Sequence, residues 1–243
     1  MRNIFSVFIL SLMLAFVVSL GTANAFKQVN TGITVMELFT SQSCSSCPPA
    51  DRLLNDLSKK PNTIALSCNV TYWDHLNWKD TLSKEFCTVR QKNYSVNLGR
   101  AGNVFTPELV INGKKSLVGS KKKEIVQQLD YIPNPAALKV KRTGSNLVIS
   151  DALRQFNKSN TVLLVTYGDE VTQEIPSGEN SGKEVSYTNP ILSIIKLYED
   201  WDGRDLVIDL EYPLKIEASG VAILVHEGHD MANPIIAAGQ EKL

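Results

Sequence analysis

Apolar positions organise the first half of the chain into a short series of elements. Ile33-Thr34-Val35-Met36-Glu37-Leu38-Phe39 is an apolar run of strand length. Ala50, Leu53, Leu54 and Leu57 then recur at i, i+3, i+4, i+7, the spacing of one buried helix face. The run from Asn62 to Val70 predicts a strand with Ile64, Leu66, Cys68 and Val70 on one side. A helix is expected from about Trp78 to Tyr94, with Leu82, Phe86 and Val89 turned inward. A loop through Gly99, Gly102 and Asn103 leads to Thr106-Pro107. Glu108 to Ile111 reads as a strand, Asn112-Gly113 as a tight hairpin turn, and Lys115 to Val118 as the returning strand. Ser120 is expected to cap a last helix whose buried side is Ile125, Val126 and Leu129. The order is β-α-β-α-β-β-α.

Pro133-Asn134-Pro135 breaks this pattern and marks an expected boundary, dividing the chain after the leader into 26–133 and 134–243. Beyond it the pattern is mostly strands: 137–141, 146–150, 161–167, 190–198, 205–211 and 220–226. Gly144, Gly168-Asp169 and Asp202-Gly203 supply turns. Short strands at this spacing predict a smaller, mostly antiparallel, sandwich-like β domain. It is expected to pack on the first part and shape access to its cysteines.

The N-terminus predicts export. Arg2 precedes an apolar stretch from Ile4 to Leu20, and Ala23-Asn24-Ala25 has the small-x-small pattern of a signal cleavage site. Residues 1–25 are read as a leader cut before Phe26; an uncleaved anchor is the alternative, because the stretch is almost long enough to span a bilayer. Nothing later is apolar enough to cross, so no stable membrane insertion is expected after cleavage. A periplasmic or secreted location follows, and disulfides persist there. Lysine plus arginine number 25, as do aspartate plus glutamate, and no basic stripe stands out. That balance argues against nucleic acid as a partner.

The candidate chemistry lies in Cys44-Ser45-Ser46-Cys47-Pro48-Pro49. Two cysteines with two residues between them, at a strand-to-helix junction, suit a redox-active dithiol/disulfide pair. The helix N-terminus favours thiolate at Cys44, and proline suits the first helical turn. A structural disulfide or a metal clip is the plainer alternative. Glu37 is a candidate proton relay to Cys47, since burial would raise its pKa toward neutrality; a carboxylate satisfied by backbone or arginine is the alternative. Tyr72, Trp73 and Trp78 either wall a substrate groove or pack in the core. Asp51 and Arg52 are expected at the surface, complementing the helix dipole. His226-Glu227-Gly228-His229 is not His-Glu-x-x-His and reads as a turn with solvated histidines.

Cys-x-x-Cys after the first strand and Thr106-Pro107 before the hairpin, in that element order, resemble the thioredoxin fold over about Thr31 to Tyr131. The resemblance implies a cis proline whose loop lies against the cysteines and accepts substrate backbone, placing Thr106 and Pro107 in the site. A closer resemblance is to a secreted thioredoxin-like family catalogued as a domain of unknown function. It is carried by Glu37-Leu38-Phe39-Thr40-Ser41-Gln42, Cys44 to Asp51, Tyr72-Trp73-Asp74, Trp78-Lys79-Asp80, Arg90-Gln91 and Thr106-Pro107. Gly178-Glu179-Asn180-Ser181-Gly182 and Tyr187-Thr188-Asn189 also fit. The chain departs from the family in having Cys68 and Cys87, where aromatic residues are usual, and no carboxylate near Thr71. In a thioredoxin-like topology Cys68 and Cys87 lie across the sheet from Cys44 and Cys47. A structural Cys68–Cys87 disulfide is therefore expected rather than an electron relay; two free buried thiols are the alternative.

The leading expectation is an exported thiol–disulfide oxidoreductase that acts on protein thiols or disulfides with a separate redox partner and no cofactor. A different class is a periplasmic Cu(I)-handling protein, since two thiolates suit Cu(I). Against it, the chain lacks a Met-rich segment, and His75 is the nearest candidate histidine. A third class is a non-catalytic binding module.

Overall fold

The computed structural model describes residues 32–150, 159–210 and 218–243. The leader expected at 1–25 lies outside the described residues. The fold is mixed α/β, with few helices and several sheets.

The first half runs β1 (Thr34–Thr40), α1 (Pro48–Ser58), β2 (Thr63–Asn69), α2 (Glu85–Asn97), β3 (Glu108–Ile111), β4 (Lys115–Val118) and α3 (Lys122–Tyr131). Its sheet has the order β2-β1-β3-β4, with β1 parallel to β2 and antiparallel to β3. Strand alternation divides the side chains between two faces. Met36 and Leu38 meet Leu53, Leu54 and Leu57 of α1 and Ile125 of α3. Val35, Phe39, Ile64, Leu66 and Cys68 face the other way, among Cys87 and Tyr94 of α2. Between β3 and β4, Asn112 and Gly113 have φ of 53° and 64°, left-handed values that suit the tight turn closed by the Lys114 N–H on the Ile111 carbonyl at 2.9 Å. The Asn112 side chain then accepts a hydrogen bond from the Val35 N–H at 2.7 Å, tying the turn to β1.

Two helices differ from their expected form. Residues 78–84 are irregular, with a turn at Thr81 and Leu82, and α2 begins only at Glu85. The backbone N–H groups of Thr81 and Leu82 bond Gln42 and Asp80 side chains, and that of Lys84 bonds the Asn69 carbonyl. Side-chain acceptors have replaced the helical ladder there. The buried face of α2 is polar, with Thr88, Arg90, Gln91 and Ser95 beside Cys87 and Tyr94. Val89, expected inside, is 46% exposed. In α3, Ser120 makes no cap, Ile125 is buried and Val126 points to solvent.

The second half contains β5 (Ala136–Ala137), β6 (Lys139–Thr143), β7 (Asn146–Ser150), β8 (Asn160–Tyr167), β9 (Val171–Glu174) and β10 (Glu184–Tyr187). It continues with β11 (Ile191–Tyr198), β12 (Leu206–Asp209), β13 (Gly220–Glu227) and β14 (Ile235–Lys242). A five-stranded sheet, β11-β8-β13-β14-β5, faces a three-stranded sheet, β12-β7-β6. Val162, Leu164, Val221, Ile223 and Val225 pack on Val140, Leu147 and Ile149 between them. The alternate residues Leu163, Val165, Ala222 and Leu224 enter the same cluster as Phe39, Ile64 and Leu66. The five-stranded sheet is thus covered on both faces. This explains the unbroken apolar runs of β8 and β13, and it gives the two halves a shared core.

Residues 168–190 leave this sheet as an arm. The β9–β10 ribbon runs beside α1, and Ile175, Val185 and Tyr187 pack on Trp78 and Leu82. The Thr188 carbonyl accepts hydrogen bonds from the N–H and hydroxyl of Ser67 at 3.0 and 2.9 Å. The arm therefore covers the outer edge of β2, which would otherwise present unpaired backbone groups.

Candidate functional site

The Cys44–Cys47 segment is a tight turn feeding a helix. The Cys44 N–H donates to the Ser41 carbonyl and the Cys47 N–H to the Cys44 carbonyl, both at 3.1 Å. Cys47 is the N-cap of α1, and Pro48 and Pro49 fill positions whose N–H groups would have no helical partner. The two cysteines form a disulfide with Cα atoms 5.4 Å apart. Cys47 is fully buried and Cys44 is 5% exposed, so Cys44 is the sulfur nearer solvent. Ser45 and Ser46 lie outside it.

The structure brings Thr106 and Pro107 to this turn. Their peptide bond is cis, and the Ser46 hydroxyl donates to the Thr106 carbonyl at 3.5 Å. Gly119 permits the approach. Its N–H donates to the Pro107 carbonyl at 2.9 Å, and a Cβ there would lie 2.7 Å from Leu38 and 3.1 Å from Ala50. A larger residue would push the proline loop off the first turn of α1. The Trp73 indole N–H donates to the Thr106 hydroxyl oxygen at 2.8 Å, so Trp73 flanks the loop. Trp78 serves differently: its indole N–H holds the Gln42 side chain at 2.7 Å.

Four residues outside the expected set organise the turn. The Gln42 N–H donates to Asp80 at 2.8 Å, and the Asn69 amide reaches the same carboxyl oxygen at 2.8 Å. From the arm, the Asn180 side-chain amide donates to the carbonyls of Gln42 and Cys44, each at 2.8 Å. Gln42 and Asn180 stand in stretches singled out by the family resemblance. Nothing in local periodicity could pair them across the chain.

Glu37 is not brought to the disulfide. It shares a face with Val35 and Phe39, turned away from α1. Arg90 grips it in a fork, Nε to Oε1 at 2.6 Å and Nη2 to Oε2 at 3.0 Å, and the Tyr94 hydroxyl adds a bond at 2.6 Å. Burial pushes the Glu37 carboxyl up, but the Arg90 charge and these bonds outweigh it and hold it below its usual range. A carboxylate so held, on the far face, is a poor relay for Cys47; the arginine-satisfied alternative describes it. His226, expected in a solvated turn, is fully buried in the same network. Its Nδ1 lies 2.6 Å from the Asn233 carbonyl and its Nε2 3.3 Å from Arg90. Burial and the neighbouring Arg90 charge lower its pKa to about 4. His229 is exposed, as expected.

Asp51, expected at the surface, is 1% exposed. It lies one helical turn beyond Cys47, and its N–H bonds the Cys47 carbonyl at 3.2 Å. Neither carboxyl oxygen has a well-formed hydrogen bond, although the Thr40 hydroxyl is near enough to influence the group, and Asn69 Oδ1 is likewise unpartnered. Burial pushes the Asp51 carboxyl up to about 8, with Asp80 adding to the rise and Thr40 opposing it. On the disulfide's side of the sheet, Asp51 is thus a buried carboxyl held largely protonated at neutral pH.

Cys68 and Cys87 form the second disulfide, buried between β2 and α2. It lies on the face opposite α1, so the sheet separates the two pairs. Among the described residues, no three His, Cys, Asp or Glu side chains gather as a metal-binding group. No helix among them is long and apolar enough to cross a membrane.

A family model described as "Protein of unknown function (DUF1223)" matches residues 35–226. A crystal structure of an Agrobacterium tumefaciens protein superposes with a TM-score of 0.74 at 28% identity, covering 86% of this chain and 94% of that one. HBP35 of Porphyromonas gingivalis is similar in fold, with a TM-score of 0.56 at 18% identity, covering 88% of this chain and 76% of that one. No curated protein sequence matches the chain.

Proposed function

For a chain that belongs to the DUF1223 family, we propose the activity of an exported, thioredoxin-type thiol–disulfide oxidoreductase acting on protein thiols. In this reading residues 26–133 are the thioredoxin-like unit and 134–243 a β-sandwich unit. The observation that carries it is the Cys44–Cys47 disulfide at the N-terminus of α1 with the Thr106-Pro107 loop closed against it. Two disulfides, and no membrane-spanning helix among the described residues, are compatible with an extracellular location. The leader and its cleavage before Phe26 are part of the proposal.

The exchange runs through Cys44. A client thiolate attacks Cys44 Sγ; the Cys44–Cys47 bond breaks and its electron pair leaves on Cys47. Asp51 passes its proton to Cys47, giving a thiol and a carboxylate. This is the role sequence reading gave to Glu37. A second client thiolate then attacks the client sulfur of the mixed disulfide and expels Cys44 as thiolate. The client has lost two electrons and released its two thiol protons to solvent, and the protein holds both electrons. Asp51 regains its proton from solvent. Run backwards, the same steps reduce a client disulfide. The N-terminus of α1 stabilises the Cys44 anion in either direction. Trp73 and the Thr106-Pro107 loop border the approach to Cys44 and would position the client chain.

Trapping tests the reading. Cys44→Ser abolishes exchange with a model protein disulfide. Cys47→Ser accumulates mixed disulfides through Cys44, because resolution is lost. Exchange by both variants at the wild-type rate would refute it.

A further inference from the structure

The hydrogen bonds of the arm do more than fasten it. Asn180 is 1% exposed and lies 136 residues beyond Cys44. Its amide nitrogen reaches two carbonyl oxygens, those of Gln42 and Cys44, at 2.8 Å each. Its Oδ1 accepts from the Lys183 ammonium, also at 2.8 Å. These neighbours fix the orientation of the amide. Carbonyls can only accept and an ammonium can only donate, so the reverse placement would lose every bond. The result is a directed chain: ammonium to amide oxygen, amide nitrogen to the Cys44 carbonyl. The loop that presents Asn180 is itself held, by Gly182 N–H to the Ile175 carbonyl at 2.8 Å and Ser177 hydroxyl to the Asn77 carbonyl at 2.9 Å.

Resting on the redox reading above, we propose that Asn180, polarised by Lys183, is a positioning residue that favours the Cys44 thiolate. The carbonyl oxygens of Gln42 and Cys44 carry partial negative charge within the turn that bears the sulfur. An anion at Cys44 is repelled by them unless donors draw that charge off. The Cys47 N–H supplies one donor to the Cys44 carbonyl, and Asn180 supplies another with a cation behind it. A hydrogen bond polarised by a charged partner is stronger than a neutral one. The titratable groups around the motif are Asp51 and Arg52 on α1, Asp80 in the segment before α2, and Tyr187 on β10. Arg52 is exposed, and burial keeps the proton on the Asp51 carboxyl and the Tyr187 phenol. Asp80 is engaged by Asn69 and by the N–H groups of Gln42 and Leu82. Lys183 is the cation that the hydrogen bonds connect to Cys44. The second half of the chain thereby sets the reactivity of a sulfur in the first.

The test uses the whole chain after leader removal. Thiolate absorbance against pH reports the Cys44 pKa of the reduced protein, and equilibration with glutathione buffers reports the potential. Asn180→Asp and Asn180→Ala are expected to raise the Cys44 pKa by about one unit. The equilibrium with glutathione should shift roughly tenfold against the dithiol, about 30 mV more reducing. Lys183→Met, at an exposed position that does not threaten folding, shifts both in the same direction by less, and Lys183→Arg restores them. If Asn180→Ala and Lys183→Met lower the melting temperature but leave pKa and potential at wild-type values, Asn180 is merely structural and the inference fails. A wild-type protein that never equilibrates with glutathione would overturn the redox reading itself, and this inference with it.

Discussion

Asp51→Asn keeps the shape of a buried side chain and removes its ability to ionise. The carboxyl titrates near 3.8 in an unfolded chain and is pushed up to about 8 by burial in the fold. Each unit of difference is worth about 1.4 kcal/mol. Below the unfolded value both states hold the proton, and the group costs the fold nothing. As pH rises above it, the unfolded chain releases its proton while the folded chain keeps it, so stability falls with pH. The fall ends near the folded value. By neutral pH it amounts to about 4 kcal/mol. Asparagine escapes this penalty. Urea unfolding of the fully oxidised protein should show variant and wild type nearly equal at about pH 4, with the variant about 4 kcal/mol more stable at about pH 7. Titrating groups not coupled to Asp51 are common to both proteins and cancel in the difference; Asp80, whose charge acts on Asp51, does not. A gap that does not change with pH would refute the reasoning, since it would mean that Asp51 titrates alike in both states. The same variant has no proton to pass to Cys47, so its gain in stability should come with slower release of Cys47 from the disulfide.

The other expectations concern the far face of the sheet. Arg90→Leu leaves the Glu37 charge buried and unpaired and should cost about 3–5 kcal/mol in chemical denaturation. Glu37→Gln should also destabilise, yet leave Cys44–Cys47 exchange at the wild-type rate; loss of exchange in a folded Glu37→Gln protein would restore the relay. Removing the second disulfide with Cys68→Ala plus Cys87→Ala opens a loop with a sequence separation of 19. The chain-entropy model gives a loss of about 3 kcal/mol, and exchange by Cys44 and Cys47 should persist. Peptide mapping without reduction checks the pairing, and a Cys44–Cys68 or Cys47–Cys87 link would contradict it.

Elements with an apolar rhythm of their own were readable from the sequence. Strand β1, helix α1, β2 with Cys68 on the face of Ile64 and Leu66, and the Asn112-Gly113 turn all follow from local spacing. The start of α2 did not, because side-chain acceptors take the N–H groups of Thr81 and Leu82, and its buried face did not, because Arg90 and Gln91 occupy it while Val89 is exposed. β14 was missed because Ala237, Ala238 and Gly239 have low strand propensity, and only its neighbours β13 and β5 make it a strand. The ribbon β9–β10 is short and half-polar, and gave no alternation to follow. Within the candidate site, Cys44, Cys47, Thr106 and Pro107 stand in recognisable motifs. Asp51 was expected at the surface and is buried, and Glu37 takes the arginine-paired alternative, because burial and partners decide the state of a carboxylate.

The covering of the five-stranded sheet on both faces sets an order of assembly. The face of β1 and β2 that carries Phe39, Ile64 and Leu66 is completed by Leu163, Val165, Ala222 and Leu224, residues far along the chain. β14, the last strand, lies between β13 and β5 and closes the sheet. A nascent chain that has produced only its first half cannot yet bury that face, however well α1 and the hairpin form. Loop closure over such separations is slow, and the exposed apolar strands would meanwhile be open to aggregation or to a holding chaperone. The Cys44–Cys47 turn waits for the same event, because Asn180 reaches Cys44 only once β8 and β11 are paired on either side of the arm. Under the proposed function, completion of the fold and readiness for disulfide exchange are a single step.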